Sequence, residues 1–393
     1  MSFDLDRIRT DLPALGTGLA FFDSPGGTQT PRPVIEAMAS ALSAPLSNRG
    51  PGNPAQRNAE DIVVGARAAL GDFLEADPAG IVFGRSATQL TFDFARTLAR
   101  TWRPGDEIVV SRLDHDANIR PWIIAAEVAG AVVRWADFDP ATGELPPATV
   151  AALLTERTRL VAVTAASNLI GTKPDVAAIT ALARNAGALS YVDGVHYAAH
   201  ALVDVAALGC DFFVCSPYKF LGPHHGVLAA SPALLETLRP DKLLPASDAV
   251  PERFELGTLP YEVLAGTTAA IDYLAGVVPG VGSRRERLRR SLAAVEEHEV
   301  GLQRDVEAGL EARGATLYSR AASRTSTLLF DLPGRSAAEV AEQLAVAGVN
   351  APAGSFYALE ASRHLGLGDQ GAVRVGIALY NDRVDVERLL AAL

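Results

Sequence analysis

Two short apolar runs in this chain end in side chains that belong together chemically. Tyr191-Val192-Asp193-Gly194-Val195-His196 closes one with a carboxylate, and Cys215-Ser216-Pro217-Tyr218-Lys219-Phe220-Leu221-Gly222 follows another with a lysine, 26 residues after Asp193. A lysine amine forms a Schiff base with an aldehyde. A carboxylate set against a pyridine nitrogen keeps that ring protonated and able to take up carbanion electrons. Either residue alone would read as a surface group at a strand end. Open α/β sheets bind ligands beyond the carboxyl ends of their strands, so the two converge on one crevice. The pairing is the one pyridoxal phosphate requires.

A phosphate needs its own seat, and Phe83-Gly84-Arg85-Ser86-Ala87-Thr88-Gln89-Leu90 offers a strand, a small-residue turn and a helix start. The exposed amides and the positive helix end there suit a dianion, with the Ser86 and Thr88 hydroxyls and the Ala87 amide adding donors. As helix caps alone these residues would be ordinary. No G-x-G-x-x-G lies between a strand and a helix and no G-x-x-x-x-G-K-[ST] occurs, which disfavours nicotinamide dinucleotides and P-loop chemistry. His196 and His200 stand four apart, but Tyr197 occupies the position where a zinc-protease motif needs Glu, and His224-His225 has no partners at useful spacing. We expect no metal.

Elements that could hold these residues recur along the chain. Short runs rich in β-branched and aromatic residues fall at 81–83, 107–111, 132–135, 160–164, 189–193, 212–215 and 226–229, separated by amphipathic helical segments. Several are apolar throughout, as strands covered on both faces are. They predict an α/β fold whose large domain carries a mainly parallel sheet of about seven strands. An apolar helix over 268–282 and a long charged helix from Arg284 to Arg313 mark a boundary. Beyond it, strands near Thr325–Leu332 and Val373–Ala378 with helices between them predict a smaller α+β domain. The expected division is 1–20 as an N-terminal arm packing with the small domain, 21–282 as the large domain and 283–393 as the small one. The arginine run Arg284, Arg285, Glu286, Arg287, Arg289, Arg290 reads as a solvated helix face with i,i+4 pairs.

With 393 residues, 49% hydrophobic and 21% charged, the chain can bury a sizeable core and is not disordered. Its net charge of −11 repels phosphate backbones and anionic lipid, so neither a nucleic-acid nor a membrane partner is expected. No apolar run reaches the ~18 residues of a membrane span, and the N-terminus lacks a signal-peptide pattern. Only Cys210 and Cys215 are present, too close to bridge on a loop and a strand. We expect a cytoplasmic protein.

Together these segments make the sequence, over nearly its whole length, resemble the class V aminotransferases of pyridoxal-phosphate fold type I, and among them the cysteine desulfurase-like proteins. The resemblance implies pyridoxal 5'-phosphate as cofactor, Lys219 as the Schiff-base lysine, Asp193 as the pyridinium partner and His196 as the group reaching the phenolic oxygen. In Leu113-Asp114-His115-Asp116-Ala117-Asn118 it makes His115 the residue stacked on the ring. Asn168, in Ala166-Ser167-Asn168-Leu169-Ile170-Gly171, would contact the cofactor, and Ser216 would help with the phosphate. Thr258, in Arg253-Phe254-Glu255-Leu256-Gly257-Thr258, would reach the phosphate from a partner subunit. A homodimer with shared active sites follows. Arg374, in Val373-Arg374-Val375-Gly376, is similar to the arginine that takes the substrate carboxylate. Phe22-Asp23-Ser24-Pro25-Gly26-Gly27 and Asn48-Arg49-Gly50-Pro51-Gly52 resemble the site's entrance segments, with Asn48 and Arg49 toward the substrate.

The sequence departs from desulfurases in one chemical respect. They carry a small-domain cysteine as sulfur acceptor, and no cysteine follows Cys215 here; the matching region reads Val349-Asn350-Ala351-Pro352-Ala353-Gly354-Ser355-Phe356-Tyr357. Tyr218 also replaces the histidine that tends to precede their lysine. The implied activity is therefore cleavage of a C–S bond in a small amino acid without an enzyme persulfide. An aminotransferase, epimerase or decarboxylating enzyme on another amino acid is the alternative, and a non-catalytic pyridoxal-phosphate binder a third reading.

Overall fold

The computed structural model describes residues 3–393. After β1 (Ala20–Phe21), seven strands build the large sheet: β2 (Ile81–Gly84), β3 (Glu107–Ser111), β4 (Val132–Ala136), β5 (Thr158–Thr164), β6 (Leu189–Asp193), β7 (Phe212–Cys215) and β8 (Gly226–Ala230). Their order is β2-β8-β7-β6-β5-β3-β4. Pairing is parallel except at β8, which runs antiparallel to both β2 and β7. All seven predicted runs are strands of this one sheet.

Successive residues of a strand face opposite sides, so an apolar run feeds two cores at once. Phe83, Val109, Val161, Val163, Val192, Phe213 and Val227 enter one cluster. Val82, Ile108, Val110, Leu160, Ala162, Tyr191, Phe212, Val214 and Leu228 enter the other. Each such side chain contributes about 1.5–3 kcal/mol by leaving water. β4, at the sheet edge, instead alternates exposed and half-buried residues.

The helix expected over 268–282 lies earlier, at Tyr261–Ala275. Pro260 precedes its first turn, a position that tolerates proline, while Pro279 and Gly280 beyond Gly276 prevent its extension. Arg284–Glu311 follows as one long helix, started by a reciprocal Ser283–Glu286 capping box. Its arginines are mostly structural: Arg284 pairs with Asp72 and Asp272, and Arg285 donates to the carbonyls of Phe73 and Val203.

The remaining strands are β9 (Thr316–Leu317), β10 (Thr327–Asp331), β11 (Val349–Asn350), β12 (Ala353–Gly354) and β13 (Ala372–Gly376). Four of them form a second, antiparallel sheet in the order β12-β13-β10-β9, over a third apolar cluster that includes Leu328, Phe330, Leu344, Val373 and Val375. The N-terminal segment is tied to this half of the molecule. In helix Leu5–Asp11, Arg9 binds Asp385 at 2.8 Å and the Tyr380 carbonyl at 2.6 Å, and β1 pairs in parallel with β11. Asp23 then bridges to Gly376, which brings residues 23–27 to the mouth of the large sheet. Among the described residues no helix is long and apolar enough to cross a membrane.

Candidate active site

The carboxyl ends of β6 and β7 deliver the two residues singled out above. Asp193 ends β6 in register with Val214 of β7, and Lys219 closes the short helical turn Pro217–Lys219 just past β7. Behind Asp193 the chain must be glycine: a Cβ on Gly194 would lie 1.9 Å from the Phe213 ring. Asp193 is 6% exposed and its Oδ1 accepts from the Val195 amide at 2.9 Å. Burial raises its carboxyl to about 6, against which Lys219 pulls it down.

Lys219 is also buried, and its Nζ donates to the Pro25 carbonyl while lying 4.7 Å over the Tyr218 ring. Desolvation and the neighbouring Arg374 charge lower its amine to about 7, outweighing Asp23 and Asp193. A substantial share of free base at neutral pH is what a nucleophilic or proton-abstracting lysine needs.

His115 sits on the loop after β3. Its Nδ1 accepts from the Ala117 amide at 3.0 Å, which leaves the proton of the neutral ring on Nε2. Desolvation, then Lys219, lowers it to about 4, so it is neutral at physiological pH. Asp114 beside it is fully buried, accepting from Ser111 Oγ at 2.5 Å and Asn118 Nδ2 at 2.7 Å, and burial raises it to about 8. His196, three residues past Asp193, has its Nε2 against the Thr325 and Thr327 hydroxyls at 2.9 and 3.0 Å, and burial keeps it neutral.

Arg374 reaches this cluster from β13. It is 1% exposed, with one Nη donating to the Asn168 carbonyl at 3.0 Å and the other to Asp23. The Phe356 ring lies 3.6 Å from its Cζ. Asn168 Nδ2 donates to the Phe356 carbonyl at 2.9 Å. Thus Lys219, Asp193, His115, His196, Asn168 and Arg374, drawn from four loops or turns and from strands β6 and β13, are electrostatic or hydrogen-bonded neighbours.

At the carboxyl end of β2, which points the same way as β6 and β7, Ser86 caps the helix Ala87–Ala99 by accepting from the Gln89 amide at 3.0 Å. The Ala87 and Thr88 amides precede the first internal hydrogen bond of this helix, Leu90 N–H to the Ser86 carbonyl. Gly226 of β8 packs against this turn so closely that a Cβ would lie 2.3 Å from the Ser86 carbonyl carbon. Ser216 is buried at the end of β7.

Three predicted residues lie outside the cluster. Asn48 and Thr258 are exposed. Arg49 is held by Glu60 at 2.9 Å and Glu252 at 3.3 Å, next to the buried Arg67–Glu255 pair. Conversely, residue spacing did not single out Asp23, Pro25, Asp114, Thr325, Thr327 or Phe356. The resemblance makes the segment at 22–27 an entrance to the site, without indicating that the Pro25 carbonyl meets the lysine.

The model of the family described as aminotransferase class-V matches residues 20–389. The chain belongs to the class V aminotransferase family. It is 33% identical to a probable cysteine desulfurase of Pseudomonas aeruginosa, covering 98% of this chain and 96% of that one. It is 31% identical to an aminotransferase-like protein of Gibberella zeae, covering 100% and 98%. A solved cysteine desulfurase from Escherichia coli superposes with a TM-score of 0.88 at 28% identity, covering 100% and 98%. The fold is therefore that of pyridoxal-phosphate enzymes of fold type I, and this class V protein is a pyridoxal-phosphate-dependent enzyme. Its own residues fit the cofactor on two structural grounds. Asn168 Oδ1 and His196 Nδ1 are buried polar atoms without a partner among the described residues, as groups reserved for a ligand are. The turn at Ser86, against which the bare Gly226 backbone packs, presents the Ala87 and Thr88 amides that the helix itself does not use.

Proposed function

We propose that this class V protein cleaves a carbon–sulfur bond in a small amino acid and that the sulfur leaves without passing through an enzyme persulfide. One observation carries the reading: a buried lysine whose amine is lowered to about 7 lies beside a buried arginine in a chain whose two thiols are both held protonated. Burial pushes Cys210 up to about 12 and Cys215 higher still, far from the thiolate that persulfide chemistry needs. The names of the bacterial relatives support a sulfur-bearing substrate.

Lys219 would hold the cofactor aldehyde and Asp193 would pair with its pyridine nitrogen, while Ser86, Ala87, Thr88 and Ser216 would hold its phosphate. When bound, pyridoxal phosphate supplies the electron sink for charge left on the substrate α-carbon. Arg374 takes the substrate carboxylate, with Asp23 and the Asn168 carbonyl fixing the plane of its fork. The Lys219 amine accepts the α-proton. The Cβ–S bond then breaks with its electron pair leaving on sulfur, the Lys219 ammonium returns the proton it took, and His115, neutral with its proton on Nε2, can donate a hydrogen bond to the departing group. For cysteine the balance is cysteine plus water giving pyruvate, ammonia and hydrogen sulfide.

The exposed Thr258, with exposed Leu256 beside it, supports a homodimer in which this loop completes the partner's phosphate site. The apolar cluster under the second sheet, drawn from Leu302 onward with Ala20 and Phe22, supports a smaller C-terminal domain with the N-terminal arm packed on it, while Leu288, Leu292 and Val295 belong to the large core. Asn48 and Arg49, close to Glu252 of the same loop, belong to that shared edge.

A second reading, transamination, epimerisation or decarboxylation of another amino acid, is favoured by Tyr218 and Phe356 against Lys219 and Arg374 and by the name of the fungal relative. The deciding experiment loads the purified protein with pyridoxal phosphate and offers cysteine, cysteine sulfinate, alanine and glutamate. Sulfide with pyruvate and ammonia from cysteine, or sulfite with alanine from cysteine sulfinate, supports C–S cleavage. Conversion of the cofactor to its amine form by a sulfur-free amino acid moves the assignment to transamination, and no cofactor spectrum at all would refute both.

A further inference from the structure

The segment Ser355-Phe356-Tyr357 is built into the site in a way the proposed reaction does not use. Phe356 and Tyr357 both have φ in the left-handed region, 52° and 58°, which non-glycine residues adopt only when their surroundings hold them there. The holding contacts are visible. The Phe356 carbonyl accepts from Asn168 Nδ2 at 2.9 Å, the Tyr357 carbonyl from the Asp116 amide at 2.7 Å, and the Ser355 carbonyl from the Ala358 amide at 2.8 Å. Tyr357 stacks on His115 with centroids 5.6 Å apart, although it is 77% exposed. This backbone lays the Phe356 ring flat over the Arg374 guanidinium at 3.6 Å.

Two sides of that guanidinium are occupied by the Asn168 carbonyl and Asp23, and one face by the ring; its Nε has no partner. A carboxylate joining Arg374 in the guanidinium plane therefore brings the substituent on its α-carbon alongside the aromatic ring. We infer that Phe356 is a specificity-determining residue, a wall that limits the substrate to α-amino acids with short side chains, of the size of alanine or cysteine. The inference rests on Arg374 being the substrate-carboxylate arginine. It does not depend on which bond is broken.

The test is equilibrium binding to the pyridoxal-phosphate-loaded protein, read as the change in its visible absorbance on titration with alanine, 2-aminobutyrate, norvaline and norleucine. The wild type should lose about tenfold or more in affinity for each methylene beyond 2-aminobutyrate. Phe356→Ala should flatten that gradient, and Phe356→Leu, which keeps apolar bulk, should fall between. Near-ultraviolet circular dichroism and the cofactor spectrum report whether each variant is folded and loaded. An unchanged gradient in Phe356→Ala, or equal weakening for all four amino acids in both variants, would overturn the inference, as would a wild type that binds none of them. A steep gradient with no sulfide release from cysteine would refute C–S cleavage alone. Sulfide release with a flat wild-type gradient would refute the wall alone.

Discussion

Lys219 Nζ and the Pro25 carbonyl are joined by a hydrogen bond across 194 residues of chain, and Asp23, two residues before Pro25, holds Arg374. One short N-terminal segment therefore grips both cations of the pocket. Burial, and then the fixed Arg374 charge, lower the Lys219 amine to about 7. Turnover that needs free amine rises with pH through that value. Removing the charge with Arg374→Gln should move this acidic limb to higher pH, as well as raising KM. A pH profile of kcat on wild type and variant checks this; an unmoved limb would contradict the influence of Arg374 on the lysine.

Lys219→Ala should abolish the visible absorbance of the cofactor-loaded protein and lower turnover by at least about 10²-fold, the usual size of a lost proton-transfer group. Lys219→Arg should not rescue, since a guanidinium stays protonated. Retention of both spectrum and activity in Lys219→Ala would remove the lysine from the mechanism.

Gly226→Ala tests the phosphate seat without touching a polar group. The new methyl group meets the Ser86 carbonyl carbon at 2.3 Å, so the turn must shift. Overpacking of this kind costs about 1–3 kcal/mol, and we expect weaker pyridoxal-phosphate binding in a spectroscopic titration with little change in affinity for a phosphate-free analogue, pyridoxal. Equal loss for both compounds would argue against a phosphate site there.

Asp114→Asn separates burial from charge. A carboxyl raised from 3.8 to about 8 contributes stability that is fully present below its unfolded pKa and is lost as pH rises through the folded one. The asparagine variant should therefore gain on the wild type between pH 5 and pH 9, by more than about 1 kcal/mol over that interval. Urea unfolding at both values measures it, and a constant difference would mean that Asp114 is already ionised in the fold.

The double variant Cys210→Ser, Cys215→Ala should release sulfide from cysteine at the wild-type rate when loaded with cofactor. A loss of release with the fold and spectrum intact would place one of these thiols in the sulfur path.

The large sheet was legible because its strands are short β-branched and aromatic runs, most of them apolar, and Asp193, Lys219 and the turn at Ser86 because each ends or follows such a run. The helix start at Tyr261 was placed too late, since the apolar pattern continues past Ala275 into a non-helical segment while Pro260 marks the true beginning. What spacing did not reveal is side-chain partnership between distant segments. Nothing local ties Asp23 to Arg374, 351 residues away, or His196 to Thr325 and Thr327. The left-handed backbone at Phe356 and Tyr357 is equally silent, because neither is a residue whose own preference asks for it.

The parallel pairing of β1 with β11 has a consequence for how the protein is made. Residues 20–25 leave the ribosome well over three hundred residues ahead of their partners at 349–350 and 374–376. Until those partners arrive the grip on Lys219 and Arg374 cannot close, so a nascent chain can complete its large sheet long before its pocket is assembled. A product cut short before residue 349 would keep the large sheet and lack the pocket.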